Sequence, residues 1–456
     1  MSALRTYYLE TFGCQMNVHD SEKVRGTLAA RGYRQVQTPE EAELVLYNTC
    51  SIRDKAEQKV FQRLAGLKRQ AKSKRFGVLG CVAQHNGEQI FDLAPHVDLV
   101  CGSASYNQLP ELLGRLESGE RRVAGLSLDT DETFDQPLAE RDNGYSAYIT
   151  IIEGCDKNCA YCVVPFTRGP ERSRPSASVL DEARRIVAGG VSEIMLLGQT
   201  VNSFRDPSPA GWSFARLLRE IGELDGVRRV RFTTSHPRDF GSDIVEALDR
   251  TPTLCDFVHL PVQSGSAKVL GEMRRGYTRD EYLRVIETIK RASRDIALST
   301  DIIVGFPGET EQEFHETLSL LEEVEYAQVF SFKYSPRRGT DAHDSPDQIP
   351  EEEKGRRLMI LQELQRRIQE RRNAERVGRE EEALVEGFRE KTGQWIGRTT
   401  QNRVLNFVDP QCLAAGQDLR GGYCQVRVTS AGANSLAGEL AARPAERSFS
   451  GFRILQ

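Results

Sequence analysis

Three cysteines within nine residues constrain this 456-residue chain more than any other feature of its sequence. The stretch 154–162 contains Cys155, Cys159 and Cys162. It follows an apolar, β-branched run, 148–152, that predicts a strand, and α/β folds bind their ligands at the C-terminal ends of such strands. Because a tight loop turns thiols at these spacings inward, the three sulfurs can converge on one soft metal centre.

A fourth cysteine at a matching spacing is missing, since the next one along the chain is Cys255. A structural zinc site takes four protein ligands, and a 4Fe-4S cluster normally takes four thiolates. Three thiolates therefore indicate a 4Fe-4S cubane in which one iron has no protein ligand. The alternative is a zinc loop whose fourth ligand comes from a distant part of the chain. The C-x3-C-x2-C pattern, with the aromatic Tyr161 before its last cysteine, resembles the signature of radical S-adenosylmethionine (SAM) enzymes.

Length and composition indicate an ordinary globular protein of about three domains. The net charge of -5 gives no overall attraction to nucleic acid, so any RNA contact must come from local basic patches. No apolar run approaches the roughly 18 residues that a bilayer span needs, and residues 1–9 do not resemble a signal peptide. Ten cysteines in such a chain fit thiols held for metal in a reducing compartment. We therefore expect a cytoplasmic protein without a membrane anchor.

The N-terminal part, residues 1–125, alternates predicted strands and helices. The predicted strands are 5–11, 44–47 and 76–79, and the predicted helices are 21–30 and 56–70. Alternation of this kind predicts a parallel α/β sheet with right-handed crossovers.

Each of these strands is followed directly by a cysteine: Cys14, Cys50 or Cys81. Because the C-terminal ends of parallel strands share one sheet edge, these residues can meet in space and form a second three-thiolate cluster site. The alternative is three separate cysteines that act as small buried hydrophobic residues. Cys101 follows another apolar run and is expected to be structural.

The central part, residues 144–376, begins after a polar segment, 117–143, that predicts an exposed linker. Six strands are predicted, separated by helices: 148–152, 193–197, 229–233, 257–260, 298–304 and 328–334. Six β/α units are too few for the eight of a closed barrel. The sequence therefore predicts an open, partial (β/α)6 barrel with its ligands at the C-terminal strand ends.

Polar side chains follow these strands and predict a single active site on one rim. Their amides, hydroxyls and carboxylate can bind the ribose, carboxylate and amine of a nucleoside amino acid. The candidate cofactor-binding residues are Tyr161, Gln199, Asn202, Ser235 and Asp301. His236 and His259 are either catalytic bases or satisfied core and rim histidines.

The C-terminal part begins with a long amphipathic helix, 351–376, studded with arginine and glutamate. It is either a solvated linker helix with ion pairs or an RNA backbone contact. Short β runs with glycine turns then predict a small antiparallel β-barrel over residues 377–441, of a type that often binds nucleic acid. Candidate phosphate contacts there are Arg398, Arg403 and Arg427, whereas Cys412 and Cys424 are expected to be inert.

Over essentially its whole length the chain resembles the methylthiotransferases of the radical SAM superfamily. The motifs that carry the resemblance are FGCQMN (12–17), NTCSIR (48–53), GC (80–81), EGCDKNCAYCVVPFTRG (153–169) and TDIIVGFPGET (300–310). The C-terminal part resembles a TRAM module, a small RNA-binding barrel.

The resemblance implies two 4Fe-4S clusters and SAM as cofactors. Cys155, Cys159 and Cys162 would hold the cluster that binds SAM, and Cys14, Cys50 and Cys81 would hold an auxiliary cluster that handles sulfur. The implied reaction is methylthiolation of C2 of N(6)-dimethylallyladenosine at position 37, next to the tRNA anticodon. The implied partners are the anticodon stem-loop, an electron donor such as a flavodoxin or ferredoxin, and a sulfur donor.

Other members of this family act on threonylcarbamoyl-adenosine in tRNA or on an aspartate of a ribosomal protein. The residues after Cys14 and Cys50 look more like those of the dimethylallyl enzymes. Thr200 departs from the asparagine usual in that loop, so a hydroxyl replaces the side-chain amide there. Outside the family, the alternatives are an iron–sulfur electron carrier and a non-catalytic, metal-stabilised RNA-binding protein.

Overall fold

The structure is a computed structural model that describes residues 5–50, 54–68, 74–128, 143–414 and 416–442. The acidic part of the predicted linker, 129–132, and residues 51–53 of the NTCSIR motif lie outside the described residues.

A six-stranded parallel sheet forms the first part of the fold. Its strands are β1 (Thr6–Phe12), β2 (Arg34–Gln35), β3 (Leu44–Thr49), β4 (Arg75–Gly80), β5 (Leu99–Gly102) and β6 (Val123–Gly125). The accompanying helices are α1 (Gln15–Ala30), α2 (Asp54–Leu67), α3 (Cys81–Asn86), α4 (Ile90–Leu93) and α5 (Leu109–Glu117). The strands pair in the order β2-β1-β3-β4-β5-β6. The predicted parallel α/β arrangement is confirmed.

Both faces of this sheet are buried, as parallel sheets require. Leu46 and Leu79 belong to the core on one face, and Val45 and Val78 belong to the core on the other. The last residues of β1, β3 and β4 pair in register across three adjacent strands. The chain segments that follow these strands therefore leave the sheet side by side.

Helix α1 begins at Gln15, directly after Cys14, and not near residue 21 as the sequence pattern predicts. Its first turns carry Asn17, His19 and Asp20, which are polar and nevertheless buried. Their partners are Asn48 of β3, Glu22 of the same helix and Arg168 of the central part, respectively. Because these polar contacts are buried, the apolar periodicity that marks most helices is missing here.

The central part forms the predicted open barrel. Its strands are β7 (Ser146–Thr150), β8 (Ile152–Glu153), β9 (Arg172–Ser173), β10 (Glu193–Leu197), β11 (Arg229–Phe232), β12 (Phe257–His259), β13 (Ala297–Val304) and β14 (Gln328–Lys333). Its helices are α6 (Val164–Arg168), α7 (Ser176–Ala188), α8 (Phe214–Gly222), α9 (Ser242–Arg250), α10 (Ala267–Glu272), α11 (Arg279–Lys290), α12 (Glu311–Val324) and α13 (Glu351–Ala374).

Two parallel three-stranded sheets make up the wall of this barrel, β7-β10-β11 and β12-β13-β14. A bridge between Val230 and Leu254 and a hydrogen bond from the Ser235 N–H to the His259 carbonyl oxygen join them. Strands β7 and β14 are the two edges, so the wall is open between them. The hairpin of β8 and β9 extends beyond the wall, next to the cysteine loop.

The C-terminal part is a closed five-stranded barrel. Its elements are β15 (Glu380–Arg389), β16 (Gln394–Thr399), β17 (Val404–Val408), α14 (Pro410–Ala414), β18 (Tyr423–Ala431) and β19 (Leu436–Ala442). The predicted antiparallel barrel is confirmed except at its closure, where β17 and β19 pair in parallel. Strand β19 escaped prediction because its sequence, LAGELAA, lacks the β-branched and aromatic residues typical of strands.

This small barrel is attached to the N-terminal ends of the central strands. Arg229, the first residue of β11, donates to the carbonyl oxygens of Arg398 at 2.7 Å and Glu382 at 2.8 Å. Thr400 donates to the carboxylate of Asp256, one residue before β12, at 2.9 Å. The C-terminal barrel and the predicted active-site rim therefore lie at opposite ends of the partial barrel.

Among the described helices, none combines the length and the apolar composition that crossing a membrane requires.

Candidate active site

The cysteine loop leaves β8 through a close approach of two backbone segments. The Cys155 N–H donates to the Gly169 carbonyl oxygen at 3.2 Å. Gly154 has a φ of +76°, and a Cβ atom there would lie 1.9 Å from the carbonyl oxygen of Pro170. Glycine alone accommodates both the left-handed backbone and the contact, and this turn directs Cys155 inward.

A Gly154→Ala variant is expected to lose this conformation, because the added methyl group meets backbone atoms that cannot rotate away. After anaerobic reconstitution, its iron content should fall by roughly half or more, since metal binding needs the folded loop. Gly144→Ala is the matched control, because nothing lies within 4 Å of a Cβ atom at that position. Equal iron contents in the two variants would contradict the assigned role of the turn.

A cavity of about 240 Å³ opens beside the loop, at the C-terminal ends of the central strands. Cys155, Cys159 and Cys162 all line it. The candidate cofactor-binding residues that line it with them are Tyr161, Gln199, Ser235 and Asp301. The fold therefore brings residues from four separate chain segments to one space.

Asn202 is not among the residues that line this cavity. Its side-chain amide donates to the His236 carbonyl oxygen at 2.8 Å, and its oxygen accepts from the His236 N–H at 2.7 Å. It therefore fixes the loop after β11. Gln199 has a related role, since its oxygen accepts from the Gly154 N–H at 2.7 Å and holds the start of the cysteine loop.

Three buried polar atoms of the cavity wall, Ser235 Oγ, His236 Nε2 and the Tyr334 hydroxyl oxygen, have no hydrogen-bond partner among the described residues. Burial lowers the pKa of His236 to about 3, so the imidazole is neutral at physiological pH. Its Nδ1 accepts from the Arg238 N–H at 3.3 Å, which leaves the ring proton on Nε2. Because a buried unsatisfied polar group costs about 1–3 kcal/mol, this wall fits a polar ligand such as SAM.

His259 has one ring nitrogen at hydrogen-bond distance from a hydroxyl and the other near a carboxylate. Its Nδ1 lies 2.8 Å from Ser299 Oγ, and its Nε2 lies 3.6 Å from a carboxylate oxygen of Asp301. This arrangement favours a satisfied rim histidine that orients Asp301. Thr200, the departure from the family pattern, places its hydroxyl 3.5 Å from Cys155 Sγ, so it contacts a cysteine of the loop.

The second group of cysteines lies at the edge of the N-terminal sheet. Gly13 has a φ of +123°, and a Cβ atom there would lie 2.4 Å from the Cβ atom of Cys50, so the loop after β1 passes directly over Cys50. A hydrogen bond from Cys50 lowers the pKa of Cys14 to about 6. Cys81, the first residue of α3, lies on the next strand end.

Helix α6 connects the two groups of cysteines. It begins two residues after Cys162 and packs against α3, which begins with Cys81. Ser103 Oγ, 3.9 Å from Cys81 Sγ, donates to the Thr167 carbonyl oxygen at 2.8 Å. The short helix α6 therefore lies next to both groups of cysteines.

Arg168 ends this helix and forms a buried ion pair with Asp20 of α1 at 2.5 Å. Against the effect of burial, the charge of Asp20 and, after it, that of Cys81 raise the pKa of Arg168. The positive charge of Arg168 adds to the larger effect of the Cys50 hydrogen bond in lowering the pKa of Cys14. The guanidinium therefore lies within electrostatic reach of the second cysteine group.

Within the described ranges, no three Cys, His, Asp or Glu side chains converge closely enough to hold one metal ion. A cubane does not need such convergence, because each thiolate binds a different iron of the cluster. The donor sets of three cysteines each, without a fourth protein ligand, therefore fit 4Fe-4S clusters better than a closed zinc site.

The candidate RNA contacts of the C-terminal barrel are already engaged within the protein. Arg398 donates to both carboxylate oxygens of Glu386, at 2.7 and 3.0 Å. Arg427 pairs with Glu380 at 2.8 Å, and Arg403 donates to Asn373. Along α13 the same holds for Arg366, Arg371 and Arg372, each paired with a glutamate. Of the two interpretations of α13, these contacts support a linker helix with ion pairs over an RNA backbone contact.

Three families match the chain. Residues 6–102 match Uncharacterized protein family UPF0004, residues 149–321 match the Radical SAM superfamily, and residues 374–441 match the TRAM domain.

Curated relatives match across nearly the whole chain. A tRNA-2-methylthio-N(6)-dimethylallyladenosine synthase of Solibacter usitatus is 65% identical, over 96% of this chain and 98% of the relative. Proteins of the same name from Geotalea uraniireducens and Aquifex aeolicus are each 46% identical, over 96% of this chain and 100% or 98% of the relative. The chain belongs to this synthase family. The prediction of a radical SAM methylthiotransferase is confirmed.

Solved structures agree with this membership at the level of the fold. The radical SAM methyltransferase TsrM from Kitasatospora setae, with cobalamin and a 4Fe-4S cluster bound, superposes with a TM-score of 0.53 at 15% identity. The match covers 74% of each chain. The cobalamin-dependent radical SAM enzyme OxsB gives a TM-score of 0.50 at 13% identity, over 79% of this chain and 56% of OxsB.

Proposed function

We propose that this synthase carries two 4Fe-4S clusters and uses them together to methylthiolate C2 of N(6)-dimethylallyladenosine in tRNA. Cys155, Cys159 and Cys162 hold the cluster that binds SAM. Cys14, Cys50 and Cys81 hold the auxiliary cluster that handles sulfur. The observation that carries the proposal is the placement of two three-cysteine groups on either side of α6, one of them opening into the cavity.

The reaction requires radical chemistry because C2 of adenine carries an unactivated C–H bond that protein acids and bases do not usefully ionise at neutral pH. A cluster held by Cys155, Cys159 and Cys162 would supply, together with SAM, the radical chemistry that such a C–H bond requires. The residues of the chain bind and orient the reactants. Ser235 Oγ and His236 Nε2 are free to bind polar groups of SAM, and Gln199 holds the loop that presents the three thiols.

The apolar part of the cavity shields the reacting atoms from water. Val163, Phe332 and Tyr334 line it together with the cysteines. The target base must leave its stack in the anticodon loop to enter such a pocket.

The C-terminal barrel contributes to tRNA binding from a distance. Helix α13 has 24 residues, which corresponds to about 36 Å, and it spans from Gly305 at the rim to the hairpin loop at Gly432. The barrel at its far end would contact the stem while the target base occupies the cavity. The electron donor, such as a flavodoxin or ferredoxin, the sulfur donor and the cytoplasmic location stay predictions.

The test is the reaction itself. Anaerobically reconstituted protein is incubated with SAM, dithionite and tRNA that carries N(6)-dimethylallyladenosine, and the digested tRNA is analysed by mass spectrometry. The expected product is 2-methylthio-N(6)-dimethylallyladenosine, together with 5′-deoxyadenosine. Unmodified tRNA of the same sequence is the matched control and should stay unchanged. Modification of threonylcarbamoyl-tRNA or of the ribosomal protein, but not of this tRNA, would contradict the substrate assignment.

A further inference from the structure

Arg275 lies beside the cysteine loop, where its guanidinium donates four hydrogen bonds and lies 5.4 Å from the centre of the Tyr277 ring. Its Nη1 donates to Cys159 Sγ at 3.3 Å and to the Tyr161 hydroxyl oxygen at 3.5 Å. Its Nε donates to the Tyr277 hydroxyl oxygen at 3.0 Å, and its Nη2 donates to the Pro261 carbonyl oxygen at 2.9 Å. The side chain is thus fixed on one side by neutral oxygens and faces a cysteine sulfur on the other.

Arg275 is 94% buried, yet within the described residues no carboxylate lies within ion-pair distance of it. Burying a cation without a counter-charge is costly. The cations around it are compensated: Arg274 pairs with Asp341, and Lys157 pairs with Asp239 at 2.6 Å. The missing anion must therefore come from the site that Arg275 faces.

Three cysteine thiolates supply that charge when they hold a cluster. A 4Fe-4S core with three thiolates carries a net negative charge, and reduction by one electron makes it more negative. Net charge and hydrogen bonds to the sulfurs are two of the factors that set the reduction potential of such clusters. A fixed guanidinium at hydrogen-bond distance from a ligating sulfur stabilises the reduced form more than the oxidised form.

We propose that Arg275 sets the reduction potential of the cluster held by Cys155, Cys159 and Cys162. It is a positioning residue that supplies a counter-charge and an N–H···S hydrogen bond to Cys159. The step concerned is the transfer of one electron from an external low-potential reductant to the cluster, in which no bond forms or breaks. The inference rests on the proposed function, because it requires a cluster at these three cysteines.

The experiment isolates this cluster in a Cys14→Ala/Cys50→Ala/Cys81→Ala background, so that one species is titrated. The midpoint potential is measured by electron paramagnetic resonance during a reductive titration. Arg275→Gln is expected to lower the equilibrium constant for reduction at least tenfold, which corresponds to about 59 mV for one electron. Arg274→Gln, on the neighbouring exposed and ion-paired residue, is the matched control and should leave the potential unchanged.

Arg275→Lys provides a second, milder test, because lysine keeps the positive charge and loses the planar fork of donors. Its reduction constant should lie between those of the parent and Arg275→Gln. If Arg275→Gln fails to fold, as judged by circular dichroism, Arg275→Lys decides alone, and a potential equal to that of the parent overturns the inference.

The outcomes also separate this inference from the function on which it rests. A parent that binds no iron and sulfide contradicts the proposed function and the inference together. A parent with a full cluster, and Arg275→Gln with the same iron content and the same potential, contradicts the inference alone and leaves the proposed function standing.

Discussion

Cys50→Ala is expected to remove about four irons per chain, the content of one 4Fe-4S cluster, and to abolish the methylthio product while SAM is still cleaved. Cys159→Ala should remove a similar amount of iron but abolish SAM cleavage as well. The reason for the difference is position: Cys159 lines the cavity, whereas Cys50 lies at the edge of the N-terminal sheet. Iron analysis, 5′-deoxyadenosine release and tRNA mass spectrometry measure the three effects.

Cys101→Ala and Cys255→Ala are the matched controls for these variants. Both cysteines are buried, and Cys101 lies on β5, in the same sheet as the proposed auxiliary site. Burial raises the pKa of Cys101 to about 12, and its thiol donates to the Ser105 carbonyl oxygen at 3.5 Å. Each control should keep the iron content and the activity of the parent. Loss of iron in Cys101→Ala, or full methylthio activity in Cys50→Ala, would contradict the assignment of the auxiliary site.

Much of this arrangement could be predicted because strand order and cysteine position are linked in a parallel sheet. The three cysteines of the N-terminal part each follow a buried strand, and parallel strands that pair in register bring their ends together. The alternation of strands and helices along the chain predicts such a sheet, even when no tertiary contact is known. The location of the rim residues after the barrel strands followed from the same rule.

The features that escaped prediction depend on contacts between distant parts of the chain. At the start of α1, Asp20 is buried because it faces Arg168, which lies 148 residues away in sequence. Arg275 lies 116 residues from the sulfur it contacts, and no local pattern distinguishes it from its exposed neighbour Arg274. Asn202 has the amide expected of a cofactor ligand, but only the folded chain reveals that both its polar atoms hold His236.

The arginines of the C-terminal part show that sequence does not reveal whether a charge is compensated in the fold. A basic residue on a barrel of nucleic-acid-binding type predicts a phosphate contact, but sequence does not show which carboxylate is near. Arg398 and Arg427 each face a glutamate on the neighbouring strand β15. Their charge is largely compensated, which fits a chain with a net charge of -5. RNA contact through these two arginines needs rearrangement of their ion pairs.

The second large effect is expected from Arg168→Met, which should destabilise the protein by about 3–5 kcal/mol. The side chains of Arg168 and Asp20 are only 5% and 1% exposed, so the variant leaves a buried carboxylate without its partner. Because the pair joins α6 to α1, the contact between the N-terminal sheet and the central barrel weakens with it. Urea unfolding of the full-length protein measures the loss.

The double variant Arg168→Met/Asp20→Leu should recover a substantial part of this stability, because it removes both charges and leaves nothing buried and unpaired. Arg115→Met is the matched control: its ion pair with Glu120 is exposed, and such pairs contribute about 0–1 kcal/mol. A loss in Arg168→Met no larger than in Arg115→Met would show that the buried pair does not hold the two parts together. The double variant could instead recover its stability and still lack methylthio activity. That result would show that the charge of Arg168 serves the auxiliary site, in agreement with its electrostatic interaction with Cys14 and Cys81.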